Sequence, residues 1–342
     1  MNRMIIHEVR LPLRHVFTTA HGTADAQESI IVELTDGDVS GFGEAVCIPH
    51  EGWHASGIRS VLESHRTAVE ALAVEDPEEF WEACFTLLGD HRCALSALDQ
   101  AAHDLWGKRK GAPVGELWGL PRRPLPTSSY TIGLDDTDRM VAKMLEFEDW
   151  PIFKIKLGAG RDLEIVRSLR RHTSATFRVD ANCAWSLADA LTYTPQLAEH
   201  GVEFIEQPLP RDARRDQELL RAKAGIPLMA DESCATEDDI ERCADGFDAI
   251  NIKLAKCGGL TPARRMIEHA RGLGLGVMVG CMTETTVGIS AIAQLLPLAD
   301  YADIDGAVLV ARDVADGVRL ERGRPVLPDT PGTGVVWRGA PA

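Results

Sequence analysis

Two lysines stand two positions apart in FKIKLG (Phe153–Gly158), a run that otherwise reads as a short buried strand. Alternation along a strand puts Lys154 and Lys156 on one face and Phe153, Ile155 and Leu157 on the other. An exposed edge strand with solvated lysines would explain such a pair if it stood alone. It does not stand alone. Similar apolar runs end on Asp180 and Asn182, on Glu206 and Gln207, on Asp231 and Glu232, on Lys253, and on Asp303 and Asp305. Solvation explains any one charged strand end, but not charges at so many strand ends in succession.

Asp180, Glu206 and Asp231 follow one another on consecutive runs. Three carboxylates brought together would repel unless a cation sat between them. An all-oxygen set without His or Cys suits Mg²⁺, and Mn²⁺ also fits. A metal bound to a substrate carboxylate stabilises the enediolate formed when the α-proton leaves. Lys156 and Lys253, on opposite sides of that substrate, could remove the proton from one face and return it on the other. The chemistry is then a 1,1-proton transfer, a racemisation or epimerisation. A lysine near its ordinary pKa of about 10.4 is a poor base at neutral pH, so burial and the positive charge of Lys154 and the metal are expected to lower it.

The elements that would position these groups recur from about residue 126: SSYTIG, FKIKLG, TFRVDAN, EFIEQPL, PLMADES, AINIKLA, GVMVGCM and YADIDG. Amphipathic segments such as DLEIVRSLRRH and TPARRMIEHARGLG lie between them. Strand and helix alternating in this way predict an α/β fold, a (β/α)₈ TIM-like barrel over residues 121–316, with its site at the C-terminal mouth of the strands. Residues 1–120 differ. RMIIHEVRLPL, SIIVELTDGD and VSGFGEAVCIP read as an antiparallel meander, and three helical stretches follow, which predicts an α+β capping domain. The tail, 317–342, has strand-like pieces too short to fold alone and is expected to return to the cap.

With 36 Lys+Arg against 52 Asp+Glu, the formal charge of −16 disfavours phosphate backbones and anionic membranes. Nucleic acid and membrane are excluded as expected partners. The eight cysteines include no CxxC pair, so neither a disulfide framework nor a zinc site is expected. No secretory leader or membrane span is legible, which points to the cytoplasm. A homo-oligomer is compatible with the sequence, which says nothing further about assembly.

The motifs FKIKLG, VDANCAW, EFIEQPLP, MADES and INIKLAKCGG, with the α+β lid and the barrel, resemble the enolase superfamily in its muconate-lactonizing-enzyme-like subgroup, over nearly the whole chain. The resemblance implies Mg²⁺ on Asp180, Glu206 and Asp231, an acid/base pair of Lys156 and Lys253, and Lys154 as accessory lysine. Within the subgroup, Asp303 to Asp305 and the preceding GCMTETTVGIS are similar to dipeptide epimerases of the L-Ala-D/L-Glu type, in which a DxD binds the substrate's α-ammonium. The expected activity is that of an isomerase acting on a small dipeptide, with Thr131 and Met282 as further substrate contacts. Epimerases acting on Ala-Glu read the glutamate with an arginine in the N-terminal loop. Here FTTAHGT offers His21, with Arg14 and His15 as nearby alternatives. The rivals on the same scaffold are o-succinylbenzoate synthase, N-acylamino-acid racemase and cycloisomerase, whose substrates carry no ammonium. A non-catalytic metal-dependent binding protein would not need two opposed lysines.

Overall fold

The computed structural model describes residues 3–20, 22–121 and 123–339. Strands β1 (Arg3–Thr19), β2 (Gly22–Asp36) and β3 (Val39–Val46) form an antiparallel sheet in that order, and helices α1 (Ala55–Glu70), α2 (Pro77–Leu88) and α3 (Arg92–Lys110) follow. The unbroken apolar run at Ile30–Val32 has a cause. Ile30, Val32 and Leu34 pack against the helices, whereas Ile31 faces the other way and packs with Val9 and Leu11 against Val287 and Val310. The β1–β2 arm is longer than the sequence suggests. Its pairing resumes beyond an irregularity between Pro12 and Phe17, with Phe17 opposite Ala24 and Thr19 opposite Gly22. FTTAHGT is thus the end of a hairpin arm and not a loop, and polar side chains on both strands hide it from a periodicity reading. His21 lies outside the described residues.

Helix α3 is buried along most of its length because it runs between the cap sheet and the barrel. Its approach to β3 needs glycine: a Cβ at Gly41 would lie 2.2 Å from Ala101 O, and one at Gly43 2.1 Å from Ala97 O. Two carboxylates on α3 fasten it to the rest of the chain. Asp99 accepts from Thr261 N at 2.9 Å and Thr261 Oγ1 at 2.8 Å, and Asp104 accepts from Phe42 N at 2.9 Å and Thr333 N at 2.8 Å.

After the short α4 (Val114–Leu117), eight parallel strands make the second sheet: β4 (Tyr130–Ile132), β5 (Ile152–Lys156), β6 (Thr176–Asp180), β7 (Val202–Glu206), β8 (Leu228–Ala230), β9 (Ala249–Lys253), β10 (Gly276–Gly280) and β11 (Tyr301–Asp303). They neighbour one another in chain order. A parallel bridge between Ser128 and Ala302 joins the first edge to the last, and Ile304 N donates to Ser128 Oγ at 2.9 Å. Helices α5 (Thr137–Leu145), α6 (Asp162–Arg170), α7 (Leu187–Glu199), α8 (Arg214–Arg221), α9 (Ile240–Gly246), the single turn α10 (Leu254–Cys257), α11 (Leu260–Gly272), α12 (Thr286–Ala293) and α13 (Gly306–Leu309) follow the strands. Register then aligns the charged strand ends: Lys156 pairs with Asp180 and Asp180 with Glu206, while Lys253 pairs with Gly280 and Gly280 with Asp303.

The tail divides, which the sequence reading did not foresee. The hairpin of β13 (Arg319–Glu321) and β14 (Arg324–Val326) stays on the barrel, where Gly323 O accepts from Ser128 N at 2.8 Å. Farther on the chain reaches the cap: Thr333 meets Asp104, and Trp337 of β15 (Val336–Trp337), which pairs with β12 (Ala315–Asp316), stacks on Phe42 at 5.7 Å.

A second contact joins cap to barrel where the chain leaves β10. Glu44 of β3 accepts from Thr285 Oγ1 at 2.5 Å and from Gly288 N at 3.1 Å, at the start of α12. Glu284 accepts from Met282 N at 2.8 Å. A Cβ at Gly288 would lie 2.1 Å from Glu284 Oε2 and 3.1 Å from Glu44 Oε2, so both carboxylates occupy the space that glycine leaves. Burial and then the Glu44 charge push the Glu284 carboxyl up to about 8. Between its ordinary value of 4.5 and about 8 the unfolded chain is ionised there while the folded protein keeps its proton. Stability contributed by this group is therefore complete below the lower value and falls as pH rises to the upper one. Glu284→Gln keeps an acceptor for Met282 N. In thermal or denaturant unfolding it should flatten that decline and gain at least about 2 kcal/mol at pH 8. An unchanged pH slope would contradict the assignment.

Candidate active site

The site is built at the C-terminal ends of β5 to β11, beneath the β1–β2 arm. The loop after β5 is held in shape by Asp162, which accepts from Gly158 N and Ala159 N, both at 3.1 Å, and from Trp185 Nε1 at 2.6 Å. Gly158 has φ +105°, and a Cβ there would lie 2.7 Å from that of Ala184. Glycine thus lets the chain turn away immediately after the lysines. Both lysines point inward, Lys154 2% exposed and Lys156 8%, which disposes of the solvated edge strand.

One carboxylate oxygen from each of Asp180, Glu206 and Asp231 lies within 4.8 Å of the others. All three residues are buried. Burial alone would hold them protonated, and ammonium groups oppose it. Lys156 Nζ lies 2.7 Å from Asp180 Oδ2, Lys253 Nζ 2.8 Å from Asp231 Oδ2, and Lys256 Nζ 2.5 Å from Asp231 Oδ1. Burial would raise the pKa of Asp180 and of Asp231, but the lysines outweigh it and hold both below the usual carboxylate range. Glu206 differs: burial, with the charges of Asp180 and Asp231, pushes it up to about 8. Asn251 Nδ2 donates to its Oε1 at 3.0 Å, whereas its buried Oε2 accepts no hydrogen bond, although Lys154 Nζ stands 2.8 Å away. A hard divalent cation suits this set, because it would neutralise the like charges and engage the oxygen that nothing donates to.

Lys154 has three carboxylate neighbours: Asp303 Oδ2 at 2.7 Å, Glu206 Oε2 at 2.8 Å and Asp180 Oδ2 at 3.1 Å. Burial would lower its pKa, but Asp303, Glu206 and Asp180 raise it well above the ordinary value. Lys253 follows the same logic, raised by Asp231 and Glu206 against burial. The expected lowering is therefore not what the protein's own groups produce at Lys253, since its carboxylate neighbours outweigh burial and the nearby Lys154 charge.

Asp303 also accepts from Ser129 Oγ at 2.6 Å, and Asp305 from Thr131 N at 2.6 Å. Lys154 offsets burial to hold Asp303 below the ordinary range, while burial and the Asp303 charge push Asp305 up to about 7. Above these groups lies a cavity of about 570 Å³, lined by Thr131, Lys156, Lys253, Met282, Asp303 and Asp305 among others. That volume suits a small organic molecule. The cap contributes Leu13, Phe17 and Ile48 to its wall, with Glu51 beside them. Arg14 and His15 do not line it: Arg14 Nε donates to Val308 O at 2.8 Å, and His15 pairs with Glu146 at 2.9 Å.

Two participants were not singled out from the sequence. Asn251 shares a strand face with Lys253 by the same alternation that pairs Lys154 with Lys156, so INIK carried the signal. Lys256 sits one helical turn beyond Lys253, and only the turn α10 brings its ammonium back to Asp231.

The family described as "Mandelate racemase / muconate lactonizing enzyme, N-terminal domain" matches residues 1–119, and "Enolase C-terminal domain-like" matches residues 136–340. A protein of Maribacter sp. (strain HTCC2170 / KCCM 42371), described as an L-Ala-D/L-amino acid epimerase, is 48% identical over 329 residues, 95% of this chain and 96% of the relative. The substrate-liganded L-Ala-D/L-Glu epimerase of Bacillus subtilis superposes with TM-score 0.93 at 26% identity, covering 98% of each chain. The dipeptide epimerase of Enterococcus faecalis V583, solved with Mg and L-Leu-L-Tyr, superposes with TM-score 0.91 at 28% identity over 97% of this chain and 98% of that one. The chain belongs to the mandelate racemase/muconate lactonizing enzyme family of the enolase superfamily.

Proposed function

We propose that the protein is a Mg²⁺-dependent dipeptide epimerase that inverts the α-carbon of the C-terminal residue by a two-base 1,1-proton transfer. The observation that carries this reading is the placement of Lys156 and Lys253 on β5 and β9, four strands apart in an eight-stranded ring, with both lysines lining one cavity. Asp180, Glu206 and Asp231 would hold the metal. When bound, the cation supplies positive charge against the substrate carboxylate as the α-proton leaves.

The chain's own residues do the rest. One lysine takes the α-proton from its face while the other delivers a proton to the opposite face, and the roles exchange for the reverse reaction. For either to act as a base it must shed its own proton, so its carboxylate partner has to be drawn away, which engagement of Asp180 and Asp231 elsewhere would do. Asp303 and Asp305 are the acidic end of the cavity and suit the substrate's α-ammonium. Thr131 and Met282 border the same space. No arginine lines the cavity among the described residues. With Leu13, Phe17 and Ile48 in the wall, this favours an uncharged C-terminal side chain over glutamate. We assign residues 1–120 and the tail from 317 to the capping unit and 121–316 to the barrel. Among the described residues no helix is long and apolar enough to cross a membrane. All eight cysteines are free, which supports a reducing, cytoplasmic setting.

Asp231→Asn should abolish turnover and weaken Mg²⁺ binding in calorimetry while the circular dichroism spectrum is kept, because the residue lies at the rim of the barrel. Full activity in excess chelator would sink the metal assignment.

Lys156→Ala and Lys253→Ala should each lower epimerisation by about 10²- to 10⁴-fold. Each should still exchange the α-proton of one epimer with D₂O, read by mass spectrometry, since the remaining lysine reaches its own face. Near-wild-type conversion of both epimers by either variant would remove that lysine from the mechanism.

N-acetylation of the dipeptide removes the ammonium and leaves buried acid without its partner. The expected penalty is about 1.5–3 kcal/mol, about ten- to a hundredfold in kcat/KM. Equal turnover of free and acetylated substrates would favour the N-acylamino-acid racemase reading.

A further inference from the structure

Of the three carboxylates that would hold the metal, two end their strands and one does not. Asp180 and Glu206 are the last residues of β6 and β7, and the parallel ladder pairs them with each other. Strand β8 has only three residues and stops at Ala230, so Asp231 stands one residue past the sheet. In a parallel ladder the amide after Ala230 would donate to the main-chain carbonyl of Gln207, because Gln207 N already donates to Met229 O at 2.9 Å. That carbonyl is turned the other way. Gln207 has φ +37°, a left-handed conformation uncommon outside glycine, and its O accepts from Cys183 N at 2.9 Å, beyond the end of β6. The side chain takes over: Gln207 Oε1 accepts from Asp231 N and from Ser233 N, both at 3.0 Å. Its Nε2 donates to Leu209 O at 2.9 Å and to Ser233 Oγ at 2.8 Å. Both oxygen lone pairs and both amide hydrogens of this buried side chain are therefore engaged, and it can face only one way.

Resting on the metal site of the proposed function, we infer that Gln207 is a positioning residue that presets Asp231, from the neighbouring strand, before any cation arrives. The ladder places the other two carboxylates, whereas the turn at Asp231 without this amide is free to shift its oxygens relative to theirs. The backbone and the side chain of Gln207 are two halves of one device. The left-handed turn gives the carbonyl to the β6 end, and the amide oxygen replaces that carbonyl for the β8 end. Asp231 is also the partner of Lys253, whose Nζ lies 2.8 Å away, while Lys156 pairs with Asp180. Displacing the Asp231 turn therefore reaches one of the two proposed proton-transferring lysines and not the other.

The test compares wild type with Gln207→Met, which keeps the volume and removes the hydrogen bonds, and with Gln207→Gly, which relaxes the backbone and removes the side chain. Gln217→Met is the control, at a buried glutamine of α8 whose Nε2 donates to Gly246 O. Mg²⁺ affinity is read by calorimetry, and α-proton exchange of each dipeptide epimer with D₂O at saturating Mg²⁺ by mass spectrometry. Both Gln207 variants should bind Mg²⁺ about 10- to 100-fold more weakly, as loss of a partner behind a metal ligand does, and the control within about twofold of wild type. At saturating Mg²⁺, Gln207→Met should slow exchange of one epimer more than of the other, since Asp231 partners Lys253 alone of the two bases. Wild-type Mg²⁺ affinity in Gln207→Gly would mean that the side chain does not set Asp231, and wild-type affinity in Gln207→Met that its hydrogen bonds do not. Either result overturns the inference, as does equal slowing of both epimers. If the Gln207 variants do not fold, hydrogen exchange in the wild-type protein decides: the Asp231 and Ser233 amides should be protected with and without Mg²⁺, and exchange at open-turn rates before metal is added would overturn it. A wild-type protein that binds no Mg²⁺ would fail the metal reading together with the inference built on it, whereas wild-type binding with no loss in the Gln207 variants fails the inference alone.

Discussion

Five buried carboxylates and four lysine ammoniums share the mouth of one barrel, and most of the architecture serves to keep them there. Asp180, Glu206, Asp231, Asp303 and Asp305 would each resist ionisation if left alone out of water, and each lysine would resist protonation. Interleaved, they satisfy one another: Lys156 with Asp180, Lys253 and Lys256 with Asp231, Lys154 with Asp303. The balance is incomplete. Of these five, Glu206 and Asp305 are the two that burial and neighbouring acids push up, so added positive charge beside them would be favoured.

Such a cluster tolerates little displacement, because the Coulomb terms that offset desolvation depend on separations near 3 Å. Parallel register supplies the alignment, setting Lys156, Asp180 and Glu206 in one row and Lys253, Gly280 and Asp303 in another. Gly280 has a packing reason of its own: a Cβ there would lie 2.3 Å from Asn251 Oδ1, and Asn251 is the residue that fixes Glu206. The cap closes the site from above, and it is held by α3 through Asp99 and Asp104 and by the Glu44 contact to the start of α12. Under the proposed function, the wall facing the substrate's side chain would come from the cap and the proton-transferring groups from the barrel. That separation would let side-chain preference vary while the proton-transfer apparatus stays fixed.

The barrel, its strand order and the charged strand ends were legible because a period of two within strands and their alternation with amphipathic helices need only local sequence. Asn251 was equally legible by that rule and was passed over because an amide carries no charge. Lys256 depended on a single helical turn, too short to leave a periodic trace. The β1–β2 arm was misread as a loop because both its strands are polar at the tip, and the split of the tail between barrel and cap depends on contacts far away in sequence. The direction of the Lys253 shift was missed for a different reason. Counting neighbouring lysines and a metal gave a lowered pKa, whereas the distances show carboxylates closer to the nitrogen than any other charge.

In the proposed reaction two lysines on opposite faces of one substrate exchange roles across a metal that three carboxylates would hold. The most direct measurement follows early turnover of an L,L-dipeptide with Mg²⁺ in D₂O by chiral separation and mass spectrometry. The account predicts that each molecule of epimer formed carries one deuteron, at the α-carbon of the C-terminal residue and nowhere else, and that none forms in excess chelator. Epimer that keeps its original α-proton, or label at the N-terminal residue, would contradict it.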